Sequence, residues 1–151
     1  MKLETKLRNI LLIDDSSDDN YFHKLVLEEM GIVEAIDEVY HGEEAIEYLT
    51  CQGKYAATAP NFPCPELIFL DINMPRMDGW EFLEIYNELP AANKGGPVIV
   101  MLTTSGNPED RKKAERFSVI GKFMSKPLTA EQVELVLHEF FPDRIIKPSS
   151  E

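Results

Sequence analysis

Four short apolar runs recur along the chain, "NILLIDD" (9–15), "LIFLD" (67–71), "PVIVMLTTS" (97–105) and "GKFMSKP" (121–127), and each stops abruptly on a polar or charged residue. An unbroken apolar run suits a strand covered on both faces, and runs that alternate with helical patterns point to a parallel sheet joined by crossover helices. A further run, "EAIDEVY" (34–40), is half polar and is expected at a sheet edge.

The segments between the runs carry helical periodicity. "DDNYFHKLVLEEMG" sets Phe22, Leu25, Val26 and Met30 at helical spacing, with Gly31 as a stop signal. "GEEAIEYL" (42–49) offers Ala45, Ile46 and Leu49, and "GWEFLEIYNEL" offers Phe82, Leu83 and Tyr86 with Ile85 or Leu89. In "NPEDRKKAERF", Asn107 is the expected N-cap and Pro108 the first helical residue, but Ala114 and Phe117 are nearly all that this helix can bury. It is expected to be loosely held. "TAEQVELVLHEFF" reads as a last helix, with Thr129 and Gln132 as a capping box and Val133, Val136, Leu137 and Phe140 facing inward. Residues 50–66, with three prolines and a glycine, read as a long loop.

At 151 residues and 44% hydrophobic, the chain can fill one core and is expected to form one domain. Acidic residues outnumber basic ones by 27 to 15, a net charge of -12 that argues against a general nucleic-acid surface and against attraction to anionic membranes. The first apolar stretch, Ile10 to Ile13, is far too short for a signal-peptide core, and no stretch approaches a membrane span. Two cysteines, Cys51 and Cys64, make neither a disulfide framework nor a zinc site. A cytoplasmic protein with reduced thiols is the expectation.

In an open parallel α/β sheet, ligands bind in the crevice beyond the carboxyl ends of the strands. The runs deliver Asp14 and Asp15, then Asp71, then Thr103, Thr104 and Ser105, and finally Lys126 to that one edge. Like-charged carboxylates at about 4 Å repel by roughly 4 kcal/mol per pair at an effective dielectric near 20, so a cation is needed among them. Hard oxygen ligands without His or Cys suit Mg2+, with Mn2+ as a substitute. Such an ion, an ammonium and a hydroxyl converging beside a carboxylate suit a phosphoryl group, with Asp71 as a nucleophile that forms an aspartyl phosphate.

These stretches, the acidic pair in "LLIDDSSDD", the acid of "LIFLDINMPRMDG", the hydroxyl in "VIVMLTTS" and the lysine-proline of "FMSKPLT", together resemble the receiver domain of two-component response regulators. The resemblance covers roughly residues 9 to 142, leaving an N-terminal extension (1–8) and a C-terminal tail (143–151). It implies a doubly wound, flavodoxin-like sheet of five parallel strands in the order 2-1-3-4-5, with helices on both faces. It further implies that Asp71 is phosphorylated by a sensor histidine kinase or histidine phosphotransfer protein. Asp15, Asp71 and the main-chain carbonyl of Asn73 would bind Mg2+ directly, and Asp14 through water. Lys126 would contact the phosphoryl oxygens, Thr103 would move toward them, and Phe123 would turn inward behind Thr103 as a switch. Ten residues after Phe141 are too few for an output domain, so the expected product is a stand-alone regulator acting through an unidentified protein target rather than a conventional enzyme.

A rival reading is a phosphohydrolase of the haloacid dehalogenase type. Such an enzyme wants an acid two residues after the nucleophile to protonate the leaving group, and here that residue is the amide Asn73. A flavin or nucleotide carrier would want a glycine-rich phosphate loop after the first strand, where this chain has "DDSSDD". Each feature alone has a plain structural explanation: Asp14 and Asp15 as helix caps, Asp71 as a turn opener, Lys126 as a solvated lysine, "EDRKKAER" as a solvated helix face. His23, His41 and His138 are given no role and are expected at the surface.

Overall fold

A computed structural model describes residues 3–50, 65–89, 97–104 and 107–146. The predicted loop, with Cys51 and Cys64, and the predicted strand-end Ser105 fall outside the described residues, apart from the loop's ends at Thr50, Pro65 and Glu66. The elements run β1 (Leu7–Ile13), α1 (Ser17–Met30), β2 (Val33–Val39), α2 (Gly42–Thr50), β3 (Leu67–Asp71), α3 (Gly79–Glu88), β4 (Val98–Thr103), α4 (Pro108–Ala114), β5 (Ile120–Ser125) and α5 (Ala130–Phe140). The five strands are all parallel, in the order β2-β1-β3-β4-β5. This is the doubly wound sheet expected from the sequence.

Because side chains alternate across a strand, each central apolar run fills two cores at once. Leu11, Ile13, Ile68, Leu70, Ile99 and Met101 pack against α2, α3 and the end of α4. Ile10, Leu12, Leu67, Phe69, Val100 and Leu102 pack on the other face, against α1 and α5. Both faces are therefore dry, which is why these runs are continuously apolar. The edge strand β2 is only half covered, and its polar Asp37 accepts a hydrogen bond from the Tyr48 hydroxyl of α2 at 2.5 Å.

Helix ends follow the capping signals. Asn107 caps α4 with Pro108 as its first residue, and Thr129 and Gln132 form the capping box of α5. A second box, Asp78 with Glu81, starts α3. On α5, Val133, Val136 and Leu137 are fully buried, each contributing roughly 1.5–3 kcal/mol by leaving water. On α3 the stripe is Phe82, Leu83 and Tyr86 with a half-buried Leu89, while Ile85 faces solvent. Helix α4 buries only Ala114, and Phe117 beyond it stacks on Trp80 at 5.9 Å.

Three expectations need correction. Strand β1 begins at Leu7, two residues before the run at Asn9, because the Leu7 N–H donates to the Ile32 carbonyl at 2.9 Å and its side chain is fully buried. Helix α1 buries only part of the stripe read from its periodicity: Val26 and Met30 are half-buried, with Met30 packed on the core, but the other two residues turn outward. Phe22 and Leu25 are 48% and 40% exposed, and the inward face is Asn20, His23 and Leu27. The physical reason is a backbone need: the Asn20 amide donates to the carbonyls of Asp14 and Val39 at 3.1 and 3.3 Å, satisfying groups at the ends of β1 and β2. That rotation also buries His23, which the sequence reading places at the surface, whereas His41 and His138 are exposed. No helix among the described residues is long and apolar enough to cross a membrane.

Candidate functional site

The ends of β1, β3, β4 and β5 meet at one rim. Asp14 and Asp15 follow Ile13, Asp71 closes β3, Thr103 closes β4 and Lys126 follows Ser125. Carboxylate oxygens of Asp14, Asp15 and Asp71 lie within 4.8 Å of one another. Asp14 and Asp71 are buried and Asp15 is exposed, so the cluster opens on its Asp15 side.

The loop after β3 folds back onto the end of that strand. Ile72 and Met74 are buried pins, Arg76 takes a left-handed conformation (φ 66°), and Gly79 N–H returns to the Ile72 carbonyl at 2.7 Å. A Cβ on residue 79 would lie 2.7 Å from the Asp71 carbonyl oxygen and 2.9 Å from the Ile72 Cα, both backbone atoms without freedom to retreat. Gly79→Ala is expected to cost roughly 1–3 kcal/mol of stability, as overpacking does, and to displace Asp71. Urea unfolding of this variant against the wild type measures the first effect.

Lys126 is the electrostatic centre. Its ammonium donates to Asp14 Oδ2 at 2.6 Å and Asp19 Oδ2 at 2.9 Å, and lies 3.2 Å from Asp71 Oδ1. Burial alone would push its pKa down, but the hydrogen bonds it donates to Asp14 and Asp19 raise it well above the ordinary lysine value, so the ammonium stays charged at neutral pH. Burial, with the Asp14 charge added, lifts the Asp71 carboxyl to about 6, against the opposing pull of Lys126. His23, beside them, is pushed below its usual pKa first by burial and then by Lys126, and so is neutral at pH 7.

Asp14, Asp15, Asp19 and Asp71 outnumber the one ammonium of Lys126 and leave a surplus of negative charge, and the donors at the rim are hard oxygens. Asp14, Asp15 and Asp71 therefore fit a small divalent cation of the Mg2+ or Mn2+ kind.

A model of the response regulator receiver domain matches residues 10–138. The chain belongs to this family. Among curated relatives of the receiver domain, the response regulator Rcp1 of Synechocystis sp. is 39% identical over 101 residues, a match that spans 67% of this chain and 65% of that protein. The Mn2+-bound structure of Rcp1 superposes with a TM-score of 0.69 and 29% identity, covering 94% of this chain and 99% of that one. A two-component response regulator from Cytophaga hutchinsonii superposes with a TM-score of 0.79 at 29% identity, covering 91% of this chain and 98% of its own. The phosphorylated cyanobacterial phytochrome response regulator RcpA does so at 0.73 and 26%, covering 95% and 99%.

Of the residues singled out in the sequence, the receiver fold brings Asp14, Asp15, Asp71 and Lys126 into one cluster. Thr103 is fully buried at the neighbouring strand end, and its carbonyl accepts from the Lys126 N–H at 2.8 Å. Asn73 is exposed in the loop after Asp71. Phe123 stands lower on β5, opposite Met101, half-buried against the α4 side with the Arg111 guanidinium 5.6 Å above its ring. Sequence reasoning passed over Asp19, Asn20 and His23. The signal for them was their helical spacing just after the acidic pair, which turns one face of α1 toward the ends of the strands.

Proposed function

We infer that this receiver domain accepts a phosphoryl group on Asp71 from a phosphohistidine of a sensor histidine kinase or phosphotransfer protein. It then signals by a phosphorylation-dependent contact with another protein. The observation that carries this reading is the Lys126 ammonium 3.2 Å from a buried Asp71 whose carboxylate shares the rim with Asp14 and Asp15.

Asp15, Asp71 and the main-chain carbonyl of Asn73 would hold Mg2+, with Asp14 acting through water. When bound, the ion supplies charge neutralisation for the phosphoryl oxygens. An oxygen of Asp71 attacks phosphorus while the P–N bond of the donor breaks, and the electron pair leaves on the imidazole nitrogen, which takes up a proton from solvent. Lys126 already lies beside Asp71 and would redirect one of its N–H donors from the carboxylate to a phosphoryl oxygen. Thr103 then moves toward the same oxygens and Phe123 turns inward behind it, remodelling the thinly packed α4 region. Water ends the signal by hydrolysing the acyl phosphate. Turnover of free phosphate esters is not expected, because the Asn73 amide is far too weak an acid to protonate a leaving group. The Mn2+-bound Rcp1 structure and the phosphorylated RcpA structure support the metal and the adduct by analogy.

The test is incubation with acetyl phosphate and Mg2+, followed by mass spectrometry. One phosphoryl adduct is expected, dependent on Mg2+ and located by borohydride reduction in the peptide that contains Asp71. Rapid phosphate release from many esters without any adduct would reverse the conclusion.

A further inference from the structure

Lys126 leaves the sheet at the end of β5, while Asp14 stands at the end of β1, three strand spacings or roughly 14 Å across the rim. The ammonium has three N–H groups. Asp14 and Asp19 take one each, and Asp71 lies within ion-pair distance of the nitrogen. Two of these acids belong to strand ends, but Asp19 comes from the first turn of α1, which packs on the same face of the sheet as α5. The three differ in exposure. The Asp14 and Asp71 side chains are 5% and 6% exposed, and that of Asp19 is 44% exposed, so Asp19 is the acid most easily separated from the ammonium.

We propose that Asp19 is a positioning residue for phosphoryl transfer: it holds the Lys126 ammonium while Asp71 is free and competes with the phosphoryl group for that ammonium once Asp71 is modified. The proposal rests on the reading of Asp71 as the acceptor. Before transfer, the Asp19 carboxylate cancels part of the positive charge that draws in an anionic donor. After transfer, the phosphoryl oxygens and Asp19 divide the N–H groups of Lys126 between them. Both effects oppose the phosphorylated state, so Asp19 acts as a restraint on how easily the site is charged and how long it stays charged.

The test compares Asp19→Asn with Asp18→Asn. Asp18 is an exposed acid in the same first turn, so its loss removes the same helix-end charge without touching Lys126. With acetyl phosphate and Mg2+, Asp19→Asn is expected to lower the half-saturating donor concentration and to lengthen the adduct lifetime, each by about two- to fivefold, the range of a half-exposed ion pair. The maximal rate of uptake stays at the wild-type value, Asp18→Asn behaves as wild type, and Asp19→Glu restores wild-type behaviour. Independently of phosphorylation, protein labelled with 15N-lysine is expected to show a displaced Lys126 ammonium resonance in Asp19→Asn and an undisturbed one in Asp18→Asn. A wild-type ammonium resonance with unchanged half-saturation in Asp19→Asn, or equal effects from Asp18→Asn, would overturn the proposal. Failure of the wild type to form any adduct would overturn the acceptor reading instead, and the ammonium resonance would still report whether Asp19 holds Lys126.

Discussion

Asp71→Asn is expected to abolish phosphoryl uptake and, in the same molecule, to raise stability at neutral pH. The first effect follows from chemistry: an amide oxygen carries no full charge and forms no stable acyl phosphate. The second follows from the Asp71 pKa of about 6, well above the 3.8 of an exposed aspartate. Folding therefore favours the protonated carboxyl, so the stabilising share is complete below about pH 4 and is lost as pH rises through about 6. At pH 7 the folded protein holds an ionised carboxylate against burial and the Asp14 charge. Each tenfold change in proton affinity is worth about 1.4 kcal/mol, so this ionisation costs about 2–3 kcal/mol in all. Asparagine resembles the protonated form and avoids this cost. Urea unfolding in chelator should show the variant more stable than the wild type above pH 6, with the gap closing near pH 4. Mg2+ should narrow the gap at neutral pH by stabilising the wild type preferentially. An equal gap at pH 4 and pH 7 would contradict the assignment of the effect to the Asp71 charge.

Lys126→Ala is expected to act in the opposite direction. Its ammonium, 9% exposed, is the cation among Asp14, Asp19 and Asp71. Its loss leaves Asp14 and Asp71 buried near each other without a counter-charge, and removing one partner of such a set costs roughly 3–5 kcal/mol. Asp71 can relieve part of that by taking a proton, so a loss of about 3 kcal/mol, the low end of that range, is expected in chelator at pH 7. Mg2+ should restore much of it, because the ion brings positive charge back to the same carboxylates. Phosphoryl uptake on Asp71 should survive, but the response to it should not. Trp80 is the chain's one tryptophan, buried at the start of α3, stacked on Phe117 and lying under Lys113 of α4, which makes its fluorescence a natural reporter of that response. Equal loss of Mg2+ binding and of the fluorescence change would remove Lys126 from its assigned role.

The acids and the lysine of the rim were legible because each sits where an apolar run breaks off, and a parallel sheet forces all such breaks to one side. The caps at Asn107 and Thr129 were legible because capping is decided within a few residues of sequence. The buried face of α1 was not. Its apolar residues allow two rotations of the helix, and the choice between them was made by the Asn20 amide reaching carbonyls of two different strand ends.

The sequence by itself determined the alternation of strands and helices, the direction in which the strands present their polar ends, and the kinds of atoms gathered there. These are properties of local pattern. Only the tertiary structure decided that Lys126 meets Asp19, 107 positions away, as well as Asp14, that His23 lies buried and neutral beside them, and that Asp71 is left poised near pH 6. The reason is that pKa and ion pairing depend on burial and on distances between groups far apart in the chain, which helical or strand periodicity does not encode.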